Sequence, residues 1–206
     1  HHPKLSATNI RHPLIKESLA IGNDVELIHA ACIITGSNMS GKTTFMRSIG
    51  INLVLAYSGG YCTADSFHVS VMELCTSMRT QDNISEGIST FYAELIRIKK
   101  MVELSSQHTP MISLIDEIYK GTNTKDRIYA ALETVKTLAK PYAFVIVTTH
   151  DFELCDLEND KQIDAENYYF SEYYEQDKIR FDYKIKKGRS STSNARDLLR
   201  MAGILK

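Results

Sequence analysis

The sequence predicts an α/β fold, a mostly parallel central sheet flanked by helices, and three observations predict it. Runs 31–35, 111–115 and 143–147 are apolar on both faces instead of alternating, as in strands buried in the middle of a parallel sheet. Helical patterns lie between them, and strands alternating with helices imply right-handed crossovers. A glycine-rich loop sits between the first run and the first helix. In chain order, strand 31–35 leads into a helix over 45–57. A second helix over 93–104 has Leu95, Ile98 and Val102 on one face, ahead of strand 111–115. A third over 126–139 carries Ile128, Leu132, Val135 and Leu138 at helical spacing, ahead of strand 143–147. Beyond Asp160, Tyr168-Tyr169-Phe170 and 179–183 read as two extra strands flanking a polar turn, and 194–202 as a short C-terminal helix.

Composition bounds the function classes. The chain has 206 residues, 43% hydrophobic and 24% charged, enough apolar material for one large domain and no case for disorder. Lys plus Arg number 24 against 25 Asp plus Glu, a net charge of -1, which excludes a strongly basic nucleic-acid wrapper. The small basic run Lys184, Lys186, Lys187 and Arg189 reads as a solvated strand end. Cys32, Cys62, Cys75 and Cys155 are scattered with no C-x-x-C pair, so they read as reduced thiols in a cytoplasmic protein. No apolar run approaches the roughly 18 residues of a membrane span, and nothing resembles a secretory leader. His1 and His2 read as a purification-tag remnant, leaving 3–206 as one domain cut from a longer protein, with no repeat or linker inside it.

The sharpest motif is Gly36-Ser37-Asn38-Met39-Ser40-Gly41-Lys42-Thr43, a G-x-x-x-x-G-K-[ST] phosphate loop between a strand and a helix. Gly36 and Gly41 let the backbone curl so that successive N–H groups face phosphate oxygens, and the next helix adds its positive dipole end. Lys42 is expected on the β- and γ-phosphates of a nucleoside triphosphate, and the Thr43 hydroxyl on Mg²⁺. With Thr44, these loop residues are the candidate nucleotide contacts.

An apolar strand then ends in Asp116-Glu117. Asp116 is expected to hold the hydration shell of the magnesium, and Glu117 to orient or deprotonate the attacking water. Alone, such a pair reads as a solvated turn. Beside a phosphate loop, it argues for hydrolysis over phosphoryl transfer. The third strand ends at His150, on the carboxyl edge where open α/β sheets bind ligands. Its imidazole can sense the γ-phosphate and hold the lytic water.

Together these residues resemble the ATPase domain of the MutS family of DNA mismatch-repair proteins, a branch of the ABC-type ATPases. Asn38-Met39 inside the loop and Thr43-Thr44-Phe45-Met46-Arg47 after it are close to the family's G-P-N-M-G-G-K-S-T-Y-M-R. Arg11-His12-Pro13, Asn23-Asp24, Glu86-Gly87-Ile88-Ser89-Thr90-Phe91, Asp116-Glu117-Ile118 with Gly121-Thr122-Asn123-Thr124, and Thr149-His150-Asp151-Phe152-Glu153-Leu154 match in order. The resemblance implies two ATPase domains meeting head to tail, as a homodimer or heterodimer, with DNA held by other parts of the parent protein and no membrane contact. It implies that Ser89 donates to the γ-phosphate in trans, an alternative or addition to capping the helix that follows it. Asn38 is expected against the γ-phosphate, Asn123 at the dimer face, and Tyr183 stacked on adenine or serving as an ordinary strand aromatic. Residues 189–206 are expected to pack across the dimer.

The sequence departs from the pattern as well. Ser37 and Ser40 replace Pro and Gly, Glu86 replaces Ser, and Ile88 and Lys120 each replace Arg. Lys120 keeps charge without the planar fork, and Glu86 adds negative charge near a phosphate. The alternatives left open are an ATP-gated dimerisation module with negligible turnover and another ABC-type ATPase head.

Overall fold

The computed structural model describes residues 3–78, 90–119, 123–175 and 178–190. In chain order the elements are β1 (Leu5–Ile10), β2 (Asn23–Leu27), β3 (Ala31–Thr35), α1 (Lys42–Tyr57), β4 (Ser66–Val69) and β5 (Glu73–Ser77). Then follow α2 (Thr90–Ser105), β6 (Met111–Asp116), α3 (Thr124–Leu138), β7 (Ala143–Thr148), a 3-10 helix at Phe152–Asn159, β8 (Ala165–Tyr169), β9 (Glu172–Glu175), β10 (Lys178–Phe181) and β11 (Lys186–Lys187).

The main sheet has the order β11-β8-β3-β7-β6-β5, parallel from β8 through β5, with β11 antiparallel at one edge. Every residue of β3, β6 and β7 is buried, which is why these strands read as continuous apolar runs. Successive side chains still part to opposite faces. Ile33, Val145 and Val147 join Ile98, Met101, Val135 and Leu138 under α2 and α3. Cys32, Ile34, Ile112 and Ile146 join Phe45, Ile49 and Leu53 of α1, with Leu5 and Ile10 of β1. Two cores thus clamp one sheet. Each large aliphatic side chain fully withdrawn from water contributes about 1.5–3 kcal/mol before the entropy cost.

The predicted α/β class and its mostly parallel sheet are present, with the middle strand of the three being β7: it pairs with both β3 and β6. The C-terminal strands differ from the expectation. Residues 168–170 do not face 179–183 across a turn. Instead, β8 ends at Tyr169 and lies parallel to β3, while the hairpin is β9 with β10, so the segment read as a turn contains a strand. The cause is a long-range ladder, continued where the Phe170 N–H donates to the Thr35 carbonyl at 3.0 Å. Tyr183 lies beyond β10 with φ 54°. Strands β1, β2 and β4, in a separate antiparallel sheet ordered β2-β1-β4, had no clear apolar run to announce them, nor had β5. Ser89, Lys120 and the segment 194–202 lie outside the described residues. Among the described residues, no helix is long and apolar enough to cross a membrane.

Candidate functional site

The site is built on the carboxyl ends of β3, β7 and β6. Between β3 and α1 the chain turns through left-handed conformations at Gly36 (φ 142°), Met39 (φ 68°) and Gly41 (φ 111°). At Gly36 the requirement is steric as well: a Cβ there would stand 2.6 Å from the Phe170 carbonyl oxygen. Inside the turn the Lys42 ammonium, 5% exposed, donates to the carbonyls of Gly36 at 2.7 Å and Ser37 at 2.8 Å. Ser40 is buried and its hydroxyl donates to the same Ser37 carbonyl at 2.8 Å. Met39 leaves its side chain 83% exposed at the loop tip, so what it offers a ligand is backbone. The Ser37 hydroxyl donates to Glu172 at 2.8 Å.

The start of α1 faces the acid pair. Thr43 Oγ1 lies 3.0 Å from both oxygens of Asp116, which is 7% exposed. The Thr148 hydroxyl donates to Asp116 Oδ1 at 2.6 Å and accepts from the Glu117 N–H at 2.9 Å. That amide also points at the Thr148 carbonyl, 3.1 Å away, which ties β6 to β7 just where both strands end. Glu117 itself is left-handed (φ 54°), a conformation uncommon for a residue with a Cβ and one found at functional turns. The turn throws its carboxylate toward His150, whose Nε2 is 2.9 Å from Glu117 Oε1 and 3.0 Å from Asn38 Oδ1.

Supports lie behind these groups. Arg127 makes a two-pronged pair with Asp151, 2.7 Å and 2.6 Å, anchoring the residue after His150 to α3. Asn123 caps α3 by accepting the Asp126 N–H at 3.1 Å. The Tyr119 N–H, in a second left-handed residue after the acids, donates to Glu94 of α2 at 2.9 Å. Burial pushes the Glu94 carboxyl above its ordinary value, opposed by that hydrogen bond and by the charge of Arg97.

On the other side of α1, a cavity of about 240 Å³ opens beside Gly41 and Thr44, walled by Ile10, Ile15, Leu19, Ile21 and the Tyr183 ring. Tyr183 borders Gly41 so closely that a Cβ on the glycine would be 3.3 Å from the ring. Asn23 fixes this wall, donating to the Tyr183 carbonyl at 3.0 Å and accepting the Ile185 N–H at 2.8 Å.

Gly36, Ser37, Asn38, Met39, Ser40, Gly41, Lys42, Thr43, Thr44, Asp116, Glu117, His150 and Tyr183 therefore surround one loop, and of the expected site residues only Ser89 falls outside the described part. Thr148 and Asn23 carry roles that sequence reasoning did not assign, though Asn23 stands inside a motif it quoted and Thr148 directly before one. Glu172 and Arg127 gave no sequence signal, and the motif that holds Asp151 did not announce its pairing. Among the described residues there is no cluster of three or more His, Cys, Asp or Glu arranged to hold a metal. One carboxylate beside one hydroxyl suits a hard, strongly hydrated cation that keeps waters and shares a ligand's phosphates, as Mg²⁺ does.

Residues 32–206 match the family described as MutS domain V. The DNA mismatch repair protein MutS of Caldicellulosiruptor bescii is 32% identical over 207 residues, 95% of this chain and 24% of that protein. MutS of Natronomonas pharaonis is 30% identical over 200 residues, 94% of this chain and 23% of that protein. The DNA mismatch repair protein Msh3 of Dictyostelium discoideum is 31% identical over 217 residues, covering 95% and 15%. The chain spans a quarter or less of the length of these curated relatives.

Proposed function

Because the chain belongs to the MutS domain V family, we propose that it is a Mg²⁺-dependent ATPase domain that dimerises head to tail and couples its nucleotide state to DNA binding by other parts of a longer protein, in mismatch repair or related DNA repair. The observation that carries the chemistry is the convergence of Glu117, His150 and Asn38 within 3.0 Å beside the Thr43–Asp116 pair.

The reading assigns each group a task. Lys42, already fixed at the centre of the loop, meets the β- and γ-phosphates, and the loop N–H groups surround them. Thr43 and Asp116 would hold Mg²⁺, which when bound neutralises charge on the phosphate oxygens. Glu117 accepts a proton from water as the water oxygen bonds to the γ-phosphorus. The bond from that phosphorus to the β,γ-bridging oxygen breaks, leaving ADP and inorganic phosphate. His150 orients the Glu117 carboxylate and, with Asn38, lies where the γ-phosphate ends. The apolar cavity beside Tyr183 suits a flat purine ring, and the reading assigns adenine to it, between Tyr183 and the side chains of Ile15 and Leu19.

The test is the Mg²⁺-dependent rate of ATP hydrolysis per chain, across a wide range of protein concentration, for wild type and Glu117→Gln. The reading requires a wild-type rate that rises with concentration as composite sites form. It also requires a loss of about 10²–10⁴-fold in Glu117→Gln with ATP binding retained. ATP binding and concentration-dependent dimers without turnover would instead select the dimerisation switch, and full activity in Glu117→Gln would remove Glu117 from its role.

A further inference from the structure

The loop rests on the segment that links β8 to the β9–β10 hairpin. Gly36 approaches the Phe170 carbonyl, the Phe170 ring lies 5.9 Å from that of Phe45, and Gly41 borders the same ring. Two residues on, Glu172 opens β9, is 9% exposed, and accepts a hydrogen bond from Ser37 Oγ at 2.8 Å. Ser37 is the residue on which the turn depends, because its carbonyl receives both Lys42 Nζ and Ser40 Oγ. The matching family pattern has proline at this position. A proline ring presets φ locally, whereas serine leaves it free, so here the constraint comes from a tertiary contact.

We propose that Glu172 is a positioning residue for the nucleotide loop: through Ser37 it holds the 37–40 turn in the shape that presents Lys42 and the loop N–H groups to a polyphosphate. The proposal rests on the ATPase reading above. It has a sign of its own. A carboxylate this near an anion site repels the ligand, so a purely electrostatic Glu172 would weaken binding and its removal would tighten it. A strut does the opposite, because without it the loop must be ordered at the moment of binding, a cost that appears in affinity. Glu117 and His150 are untouched, so turnover at saturating ATP stays the same.

The experiment is titration of the 206-residue chain with a fluorescent ATP analogue in the presence of Mg²⁺, together with steady-state kinetics. Glu172→Ala is expected to raise Kd and KM about fivefold with kcat unchanged, and Ser37→Ala to raise Kd by a similar factor. Glu172→Gln, which keeps an acceptor for the Ser37 hydroxyl, is expected to bind within about twofold of wild type. Ser37→Pro placed in the Glu172→Ala chain is expected to restore affinity, because the ring supplies locally what the strut supplied. Unchanged or tighter binding in Glu172→Ala overturns the proposal. So does a Glu172→Gln chain as weak as Glu172→Ala, or a defect that Ser37→Pro leaves in place, since either assigns Glu172 a role other than holding the turn. A wild-type chain that binds no ATP overturns the ATPase reading and the strut with it.

Discussion

At one end of the site Asp116, Glu117, Thr148 and His150 leave two adjacent strands of the parallel sheet, whereas at the other Tyr183 and Asn23 come from segments 160 residues apart that no strand ladder joins. The acid end inherits its geometry from the sheet. β6 and β7 are buried throughout and end in register, Asp116 opposite Thr148, so the groups that follow them fall within hydrogen-bond reach of one another. The cavity end has no such frame and is held by Asn23 clasping a backbone in left-handed conformation, with Lys184 Nζ donating to the Gly22 carbonyl beside it. Groups fixed by the sheet ladder at the acids and a wall fixed by side-chain bonds at the cavity mean that damage at the two ends should appear in different kinetic constants.

The largest of these effects is expected from Thr148→Val. It keeps side-chain shape but deletes the hydroxyl that donates to Asp116 and accepts from the Glu117 amide. Under the proposed role of Asp116 in holding Mg²⁺, loss of a hydrogen bond that orients such a carboxylate costs roughly 10- to 100-fold, here expected in kcat and in the Mg²⁺ dependence, with KM for ATP little changed. Steady-state kinetics over a Mg²⁺ series checks this, and a change confined to KM would erase the distinction between the two ends.

A smaller, opposite pattern is expected at the cavity. Asn23→Ala frees Tyr183 and should raise KM for ATP about tenfold with kcat within about twofold of wild type. Measuring the same variant with ATP and with triphosphate lacking a base sharpens the point. The tenfold loss should vanish when there is no ring to wall in, and a loss of equal size for both ligands would assign Asn23 to the loop instead.

The smallest effect is a pH dependence behind the acid end. Glu94 receives the Tyr119 N–H, and burial holds its carboxyl above the ordinary value of 4.5. As pH rises past 4.5 the unfolded chain gives up this proton before the folded one does, so the native state binds more protons and stability falls through that window. Above the native value the loss is complete. Glu94→Gln retains an acceptor for Tyr119 and removes the titration, so urea midpoints between about pH 4 and 7 should fall less steeply for the variant than for wild type. Equal slopes would mean that Glu94 does not set the acid-side stability of this corner.

The part of the molecule legible in the sequence is the part whose constraints are local. A strand buried on both faces must be apolar throughout, so β3, β6 and β7 were readable, and a chain that must curl around anions needs Gly36 and Gly41 at fixed spacing from Lys42. Acids and a histidine at strand ends pointed to chemistry because a phosphate loop accompanied them; alone they read as solvated turns. The half-exposed strands β4 and β5 had no such signature, and the C-terminal strands were misread because β8 owes its place to a ladder with β3, more than 130 residues away in the chain. Only the tertiary structure brought Glu172 under Ser37, Arg127 onto Asp151 and Asn23 around Tyr183. The physical reason is that a residue's spacing along the chain encodes only what its neighbours must do. A hydrogen bond between distant segments leaves no periodicity, and any polar side chain of suitable length could have supplied it, so its existence is decided when the sheet and its two cores bring those segments together.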